Sequence, residues 1–476
     1  MAFFPIIASC GGDASTLQEE GTVPAVKSTS LANGAADVAV DLGIVDINYD
    51  VPVVLKDASA ITLTGTAVSA EVSNMRLRVT FGNLDYGTSY TLSVPSSAII
   101  GKTGSKASEG IVLTFTTSEK PASGDTTYTP GEPGDYSKTL VTSDPIGNAS
   151  LLYDYLLSIY GKNILSATMA KVAWNTDEAD WVYEWTNKHP AIATFDYIHL
   201  QSSPANWIDY SDITPVLDWW KAKGLVSAGW HWTVPTYEGS SDYSYDPAKT
   251  AFKPSNVVIE GTWENRIAKA DLAKIAQYLL LLQEHDIPVI WRPLHEAAGN
   301  TYTQWHSGAW FWWGRDGADA YKALWKYMFN YFKDAGVRNL IWVWVTQTSG
   351  TGDADYAFYP GDDYVDIVGR DIYGNRDNNY VVSAADIGSQ FSTITHMTTH
   401  KMVALSEMGS VADVNAQWEA GAKWLYFMPW YDYDNDYTEN YNHLYASIGW
   451  WRLSFLCPSL LTREDLPSGL FPDWGE

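Results

Sequence analysis

Residues 272–296 read LAKIAQYLLLLQEHDIPVIWRPLHE, and this stretch decides the fold. In its first half Leu272, Ile275, Ala276, Leu279 and Leu282 recur at three-to-four spacing, the apolar face of a helix. After the polar break QEHD, residues 288–294 form a short apolar run of strand type. That run closes on Arg292, His295 and Glu296. Charged groups rarely end a hydrophobic strand unless they have a partner or a task.

The same alternation extends in both directions. Strands are predicted at 164–173, 195–200, 225–232, 288–294, 340–345, 365–371, 402–407 and 423–429, with helical segments between them. Alternating strand and helix predicts a parallel sheet, and eight such units predict an α/β fold of the (β/α)8 TIM barrel type. A doubly wound open sheet is the alternative, but no glycine-rich phosphate fingerprint follows an early strand. A barrel places its chemistry at the C-terminal strand ends. Those ends carry His199 and Gln201; Trp230, His231 and Trp232; Arg292 to Glu296; Arg370 to Tyr373; Ser406 to Gly409; and Met428 to Tyr431. Glu296 on strand four and Glu407 on strand seven can face each other across the mouth. Glycosidic cleavage needs two carboxyl groups flanking one bond. One strand-end glutamate alone reads as the partner of an arginine; two, with aromatic neighbours, read as a reactive pair.

Ahead of the barrel the pattern has period two. Val38 and Val40, Val45 and Ile47, residues 75–81 (MRLRVTF), 90–94 and 112–116 alternate between Gly/Asn/Asp turns. Short strands at such spacing predict a β-sandwich. Residues 119–135 (EKPASGDTTYTPGEPGD) have a linker's composition. At the N-terminus a short apolar run, 2–8, precedes Ser9, Cys10, Gly11 and Gly12. This is similar to the end of a bacterial lipoprotein signal, with Cys10 as the lipid-anchor position at an outer membrane. The expected division is a leader and flexible tail at 1–29, a sandwich at 30–118, a linker at 119–135 and the catalytic barrel at 136–476. The expected location is secreted or on the bacterial cell surface.

Composition narrows the partners. The formal charge is −26, from 30 Lys plus Arg against 56 Asp plus Glu, so the basic footprint of a nucleic-acid binder is missing. A neutral polysaccharide suits this charge. The 23 Trp and 30 Tyr supply flat apolar rings, which suit a core and equally suit stacking on sugars. Two cysteines, Cys10 and Cys457, make neither a disulfide framework nor a thiolate metal site. No cofactor and no metal are expected, and the chain is expected to be a monomer.

WRPLHE (291–296), AWFWWG (309–314), GRDIYG (369–374) and ALSEMG (404–409) occur in this order. Together they resemble glycoside hydrolase family 26, over roughly residues 140–470. GTSYTLSVPSSAI (87–99) and VLTFTTS (112–118) resemble bacterial Ig-like domains, which implies a spacer. The family resemblance implies a retaining β-mannanase, a mannan endo-1,4-β-mannosidase acting on mannan, glucomannan or galactomannan. It implies Glu296 as acid/base and Glu407 as nucleophile, with carboxyl groups about 5–5.5 Å apart. His295 corresponds to the family's histidine beside the acid/base, and His231 to the one ending strand three. Tyr373 corresponds to the tyrosine that hydrogen-bonds near the nucleophile. Trp310 and Trp430 correspond to substrate-contacting rings. Where the family has a short junction, ten residues (300–309) separate Gly299 from Trp310 here and reshape one side of the cleft.

Arg292 is expected as a buried cation at or just behind the carboxylates, and Asp371 and Arg370 as groups that orient neighbours. The Tyr-rich stretch 236–245 is expected over the mouth. His189, His285, His396 and His443 are expected as surface or helix-end residues. Trp219 and Trp220 are expected to pack, and Asp432, Asp434 and Asp436 to form a solvated run. Other readings are a mixed-linkage β-1,3-1,4-glucanase or β-xylanase of the same family, and a non-catalytic glycan-binding lipoprotein.

Overall fold

Strands whose side chains are buried on both faces need helices around them, and the chain beyond the linker supplies them in alternation. The computed structural model of the chain describes residues 21–474, other than 39–41, 83, 86, 118–135, 172–173, 300–307, 348–355, 375–379, 399 and 433–442. The chain divides into two compact units, Met1–Thr127 and Tyr128–Glu476.

The second unit is a closed parallel barrel. Its strands are β1 (Ile164–Met169), β2 (Ile192–Asp196), β3 (Leu225–Trp230), β4 (Val289–Pro293), β5 (Leu340–Gln347), β6 (Ile367–Tyr373), β7 (Met402–Gly409) and β8 (Tyr426–Pro429). Each pairs with the next, and β8 returns to β1 through Leu165 opposite Tyr426. The predicted helix is present as Trp263–Gln283, capped by the Thr262 hydroxyl, which accepts from the Asn265 amide at 3.1 Å. Its Leu272, Ile275, Ala276, Leu279 and Leu282 are all buried. Trp219 and Trp220 also pack inside.

Strand two departs from expectation. It runs Ile192–Asp196 rather than 195–200, because the chain turns at Tyr197, whose carbonyl accepts from the Leu200 amide at 3.0 Å. His199 and Gln201 therefore lie in the loop, and Asp196 ends the strand.

The two ends of the barrel differ in purpose. At the N-terminal end, just before β6, the buried Asp366 carboxylate accepts from the Val141 and Trp342 amides, each at 2.8 Å. It ties the chain entering the barrel to β5. The C-terminal end carries the polar and aromatic side chains described below.

The first unit is a two-sheet sandwich. One sheet holds Val26–Thr29, Ile44–Tyr49, Arg76–Phe81 and Val68–Ser73; the other holds Ala35–Val38, Ile111–Thr117, Ser89–Val94 and Thr62–Leu63. Inward Val45, Ile47, Leu77, Val79, Leu92, Leu113 and Phe115 form its core, as period-two alternation requires. The first strand begins at Val26, ahead of residue 30. Cys10 and the linker lie outside the described residues.

Candidate active site

At the end of β4 the backbone enters the left-handed region at Leu294 (φ 50°) and Glu296 (φ 51°). Side chains seldom occupy that region, so neighbouring contacts must hold it. Tyr321 donates to the Leu294 carbonyl at 2.9 Å, and Trp313 Nε1 to the His295 carbonyl at 2.8 Å. The Glu296 amide donates to Val345 at 3.2 Å. Trp312 Nε1 reaches the Trp232 carbonyl at 2.7 Å. The second and third tryptophans of WFWWG are thus fully buried supports. Phe311 stacks on Trp313 with centroids 4.4 Å apart and lies 4.7 Å from the His295 ring.

Strands β6 and β7 bring the second carboxyl. Their register slips by one residue between Gly369/Ala404 and Asp371/Glu407, a bulge that sets Asp371 opposite Glu407. Gly369 makes it possible. A Cβ there would lie 2.3 Å from the Ser406 hydroxyl. Ser406 in turn donates to Asp371 Oδ1 at 2.7 Å. Buried Arg292 sits between the strands, with Nη2 2.5 Å from Glu407 Oε1 and 3.3 Å from Asp371 Oδ2. Tyr373 donates to Glu407 Oε2 at 2.9 Å.

Three carboxyls and one guanidinium share this buried volume. Burial, then the charges of Asp371 and Glu407, push Glu296 well above the usual carboxylate range, and Arg292 opposes this. Among the causes of that rise, the Asp371 side chain favours the protonated form of Glu296. Burial and then Glu407 raise Asp371 as well, against Arg292, Ser406 and Arg370. Neighbouring buried carboxyls cannot both ionise readily, so each holds the other toward its protonated form. Burial opposes the charge on Arg292, but Glu407 and Asp371 outweigh it and keep it cationic. Tyr373 is raised by burial and then by the carboxylates, so it remains a donor.

The opposite wall comes from β2, β3 and β8. Asp196 receives the His231 amide at 3.0 Å and faces its Nδ1 at 2.5 Å. Burial would raise Asp196, but His231 and its hydrogen bonds outweigh burial and lower it. The His231 ring lies 4.4 Å from His295 and 5.6 Å from Trp430. Burial, His231 and Arg292 depress His295 well below the ordinary histidine value, so it is neutral. A two-stranded ribbon, Val234–Pro235 with Tyr243–Ser244, presents exposed Tyr237, Tyr243 and Tyr245, and the Tyr245 ring is 6.0 Å from His231. Trp310 is exposed. Residues 300–307 of the inserted loop lie outside the described residues.

Glu296, Glu407, His231, His295, Tyr373 and Trp430 thus converge on one end of the barrel. Arg292 and Asp371 join the carboxylates directly. Asp196, Phe311 and Ser406 belong to the same constellation; Ser406 stood at a predicted strand end without a role, and Asp196 and Phe311 were not singled out. The one signal for Asp196 was a lone acid closing IATFD (192–196), hidden by placing the strand three residues late.

Two outlying expectations are corrected. His443 is not a surface helix residue: its side chain is 2% exposed and bonded to Glu178, which is 5% exposed. Asp432 is not solvated but buried, accepting the Leu444 amide at 2.9 Å. Asp434 and Asp436 lie outside the described residues. Among the described residues no cluster of three His, Cys, Asp or Glu could hold a metal ion, and no helix is long and apolar enough to cross a membrane.

Comparison with known proteins identifies both units of the chain. Residues 20–117 match the bacterial Ig-like domain profile. The chain is 40% identical to the solved family 26 domain of an endo-β-mannanase/endo-β-glucanase from Prevotella bryantii, covering 69% of this chain and 99% of that one, with a TM-score of 0.62. It is 32% identical to a β-mannanase from a symbiotic protist of the termite Reticulitermes speratus, solved with a gluco-manno-oligosaccharide (70% and 98% covered, TM-score 0.59). It is 35% identical to mannan endo-1,4-β-mannosidase B of a Piromyces species, over 61% of this chain and 48% of that protein, so it spans about half the length of that relative. Residues 141–449, from the chain's entry into the barrel to beyond its last strand, match the profile of glycosyl hydrolase family 26, and the chain belongs to that family.

Proposed function

We propose that the protein is a retaining endo-β-1,4-mannanase that hydrolyses mannan, glucomannan or galactomannan. The observation that carries this reading is the contrast between two glutamates. Glu296 is pushed toward its protonated form by burial and neighbouring negative charge. Glu407 is held by the Arg292 cation and the Tyr373 hydroxyl. An acid and a nucleophile working at one pH need such opposed surroundings.

Glu296 donates its proton to the glycosidic oxygen while a Glu407 oxygen attacks the anomeric carbon. The C–O bond to the leaving sugar breaks, and a glycosyl ester of Glu407 forms. Glu296, now a carboxylate, takes a proton from water, whose oxygen attacks the same carbon and frees Glu407. His231, His295 and Trp430 shape the sugar's site, Trp310 offers a ring at the rim, and Tyr373 steadies the nucleophile. The names of the Prevotella, Piromyces and termite-symbiont relatives support a β-mannan substrate.

Purified mannan, barley β-glucan and xylan, digested separately and sized, test the substrate. Internal cleavage of mannan is expected. Preferred cleavage of glucan or xylan would reassign the substrate within the family, and cleavage of none would leave a glycan-binding protein. Glu407→Ala is expected to abolish hydrolysis, and added azide to restore bond cleavage by attacking the anomeric carbon as Glu296 protonates the leaving sugar, which releases the inverted α-glycosyl azide. Full activity in that variant would refute the assignment. We also read Cys10 as the acylated residue of a monomeric surface lipoprotein. Palmitate labelling that disappears in Cys10→Ala, and sedimentation at the monomer mass, are the expected results.

A further inference from the structure

Glu178 lies in the first turn of the helix Asp177–Thr186, which follows β1. Its carboxylate meets His443 Nε2 at 3.2 and 3.3 Å, and one of its oxygens also accepts the Asp432 amide at 2.8 Å. On the other side of the imidazole, Nδ1 faces the amides of Tyr445 and Ala446, each at 3.0 Å. Two N–H donors require a lone pair on Nδ1, so the proton sits on Nε2 and points at Glu178. The ring is therefore a spacer of fixed tautomer, packed against Trp181 with centroids 5.3 Å apart.

What His443 holds is the backbone of Tyr445. The Tyr445 carbonyl accepts from Ser410 at 3.3 Å, just beyond β7. Its ring stands edge-on to Tyr373, with centroids 5.8 Å apart at 78°. Both rings close over Gly409, where a Cβ would lie 2.3 Å from Tyr445 and 2.8 Å from Tyr373. Tyr373 is the residue that donates to Glu407. A contiguous chain of contacts thus runs from a helix behind β1 to the carboxylate on β7.

We propose that Glu178 and His443 are positioning residues for hydrolysis: by fixing Tyr445 against Tyr373, they aim the Tyr373 hydroxyl at Glu407. The inference rests on the reading of Glu407 as the nucleophile. A phenol free to swing leaves Glu407 without its donor in much of the population, and misplacement of about 1 Å in an active site can cost on the order of 100-fold in rate.

A double-mutant cycle on the full chain tests this, with kcat and KM measured on mannohexaose. His443→Ala is expected to lower kcat about tenfold or more, with KM changed by less than about twofold. In a Tyr373→Phe background the same substitution is expected to change kcat by less than about twofold, because the group being positioned is already gone. Glu178→Gln, which keeps an acceptor for both donors, is expected to stay close to wild type, whereas Glu178→Ala behaves like His443→Ala. If His443→Ala fails to fold, Tyr445→Ala removes the same link at a half-buried site and carries the cycle. Equal losses in both backgrounds would overturn the proposal, since a general structural role adds. Unchanged kcat in Tyr373→Phe alone would also overturn the proposal, whereas the nucleophile reading beneath it stands or falls on Glu407→Ala.

Discussion

Arg292 on β4 and Glu407 on β7 come from strands three apart in the barrel, yet Nη2 and Oε1 lie 2.5 Å from each other with both side chains almost wholly buried. The same nitrogen is 3.3 Å from Asp371 on β6. One cation thus holds two of the three carboxyls, and the net charge of the cluster depends on it.

Replacing Arg292 with Met should therefore leave two buried carboxylates without their counter-ion. Breaking a buried pair by removing one partner costs about 3–5 kcal/mol. A fall of several degrees in the melting temperature of the barrel is expected, with at least a hundredfold loss of kcat on mannan. Lysine at this position, a compact point charge on a more flexible stem, should recover part of the stability and little of the rate. Thermal unfolding and steady-state kinetics on the same preparations check both statements.

Asp371 is predicted to set the alkaline limb of the pH profile. Its negative charge is the largest contribution after burial to holding the proton on Glu296. Glu296 must be protonated to act as acid, so activity falls as pH rises through its raised value. Asp371→Asn removes that charge and should move the alkaline limb of kcat/KM to lower pH. An alkaline limb that stayed in place, or moved upward, would separate Glu296 from the acid role.

Asp196 orients His231 through both of its carboxylate oxygens. A carboxylate behind an imidazole fixes which nitrogen faces the substrate. Asp196→Asn keeps the shape but weakens that preference, so KM for manno-oligosaccharides should rise by about tenfold while the folded state persists. Isothermal titration of mannohexaose into an inactive Glu407→Ala background isolates the binding effect.

Asp366, at the other end of the barrel, should show only in stability. Burial raises its carboxyl from 3.8 to about 7, against two backbone donors and Lys401. A raised carboxyl stabilises the fold most fully below its unfolded value and loses that contribution as pH rises through its folded value. The melting temperature should therefore decline between about pH 4 and 7 by this route. Asp366→Asn should flatten the decline in that window while leaving mannan kcat unchanged. An equally steep decline in the variant would assign the effect to other groups.

Much of this protein was legible in the chain alone, for reasons of period and position. Helical spacing in 272–282 and buried runs such as PVIWRPL (288–294) can be satisfied only by alternating strand and helix, and a glutamate closing a strand is visible wherever the strand ends. Period-two alternation likewise determined the sandwich. What the linear text could not carry was the meeting of groups remote in sequence. Asp196 beside His231, the bulge that lets Ser406 reach Asp371, and Arg292 between two carboxylates all depend on register, which a single residue's slip reverses. His443 looked like a surface residue because only one of its ring nitrogens is met locally, by the Tyr445 and Ala446 amides; the partner of the other, Glu178, lies 265 residues earlier in the chain. Local pattern determined which elements form, and closure of the barrel decided which side chains meet in one buried volume and set one another's charge.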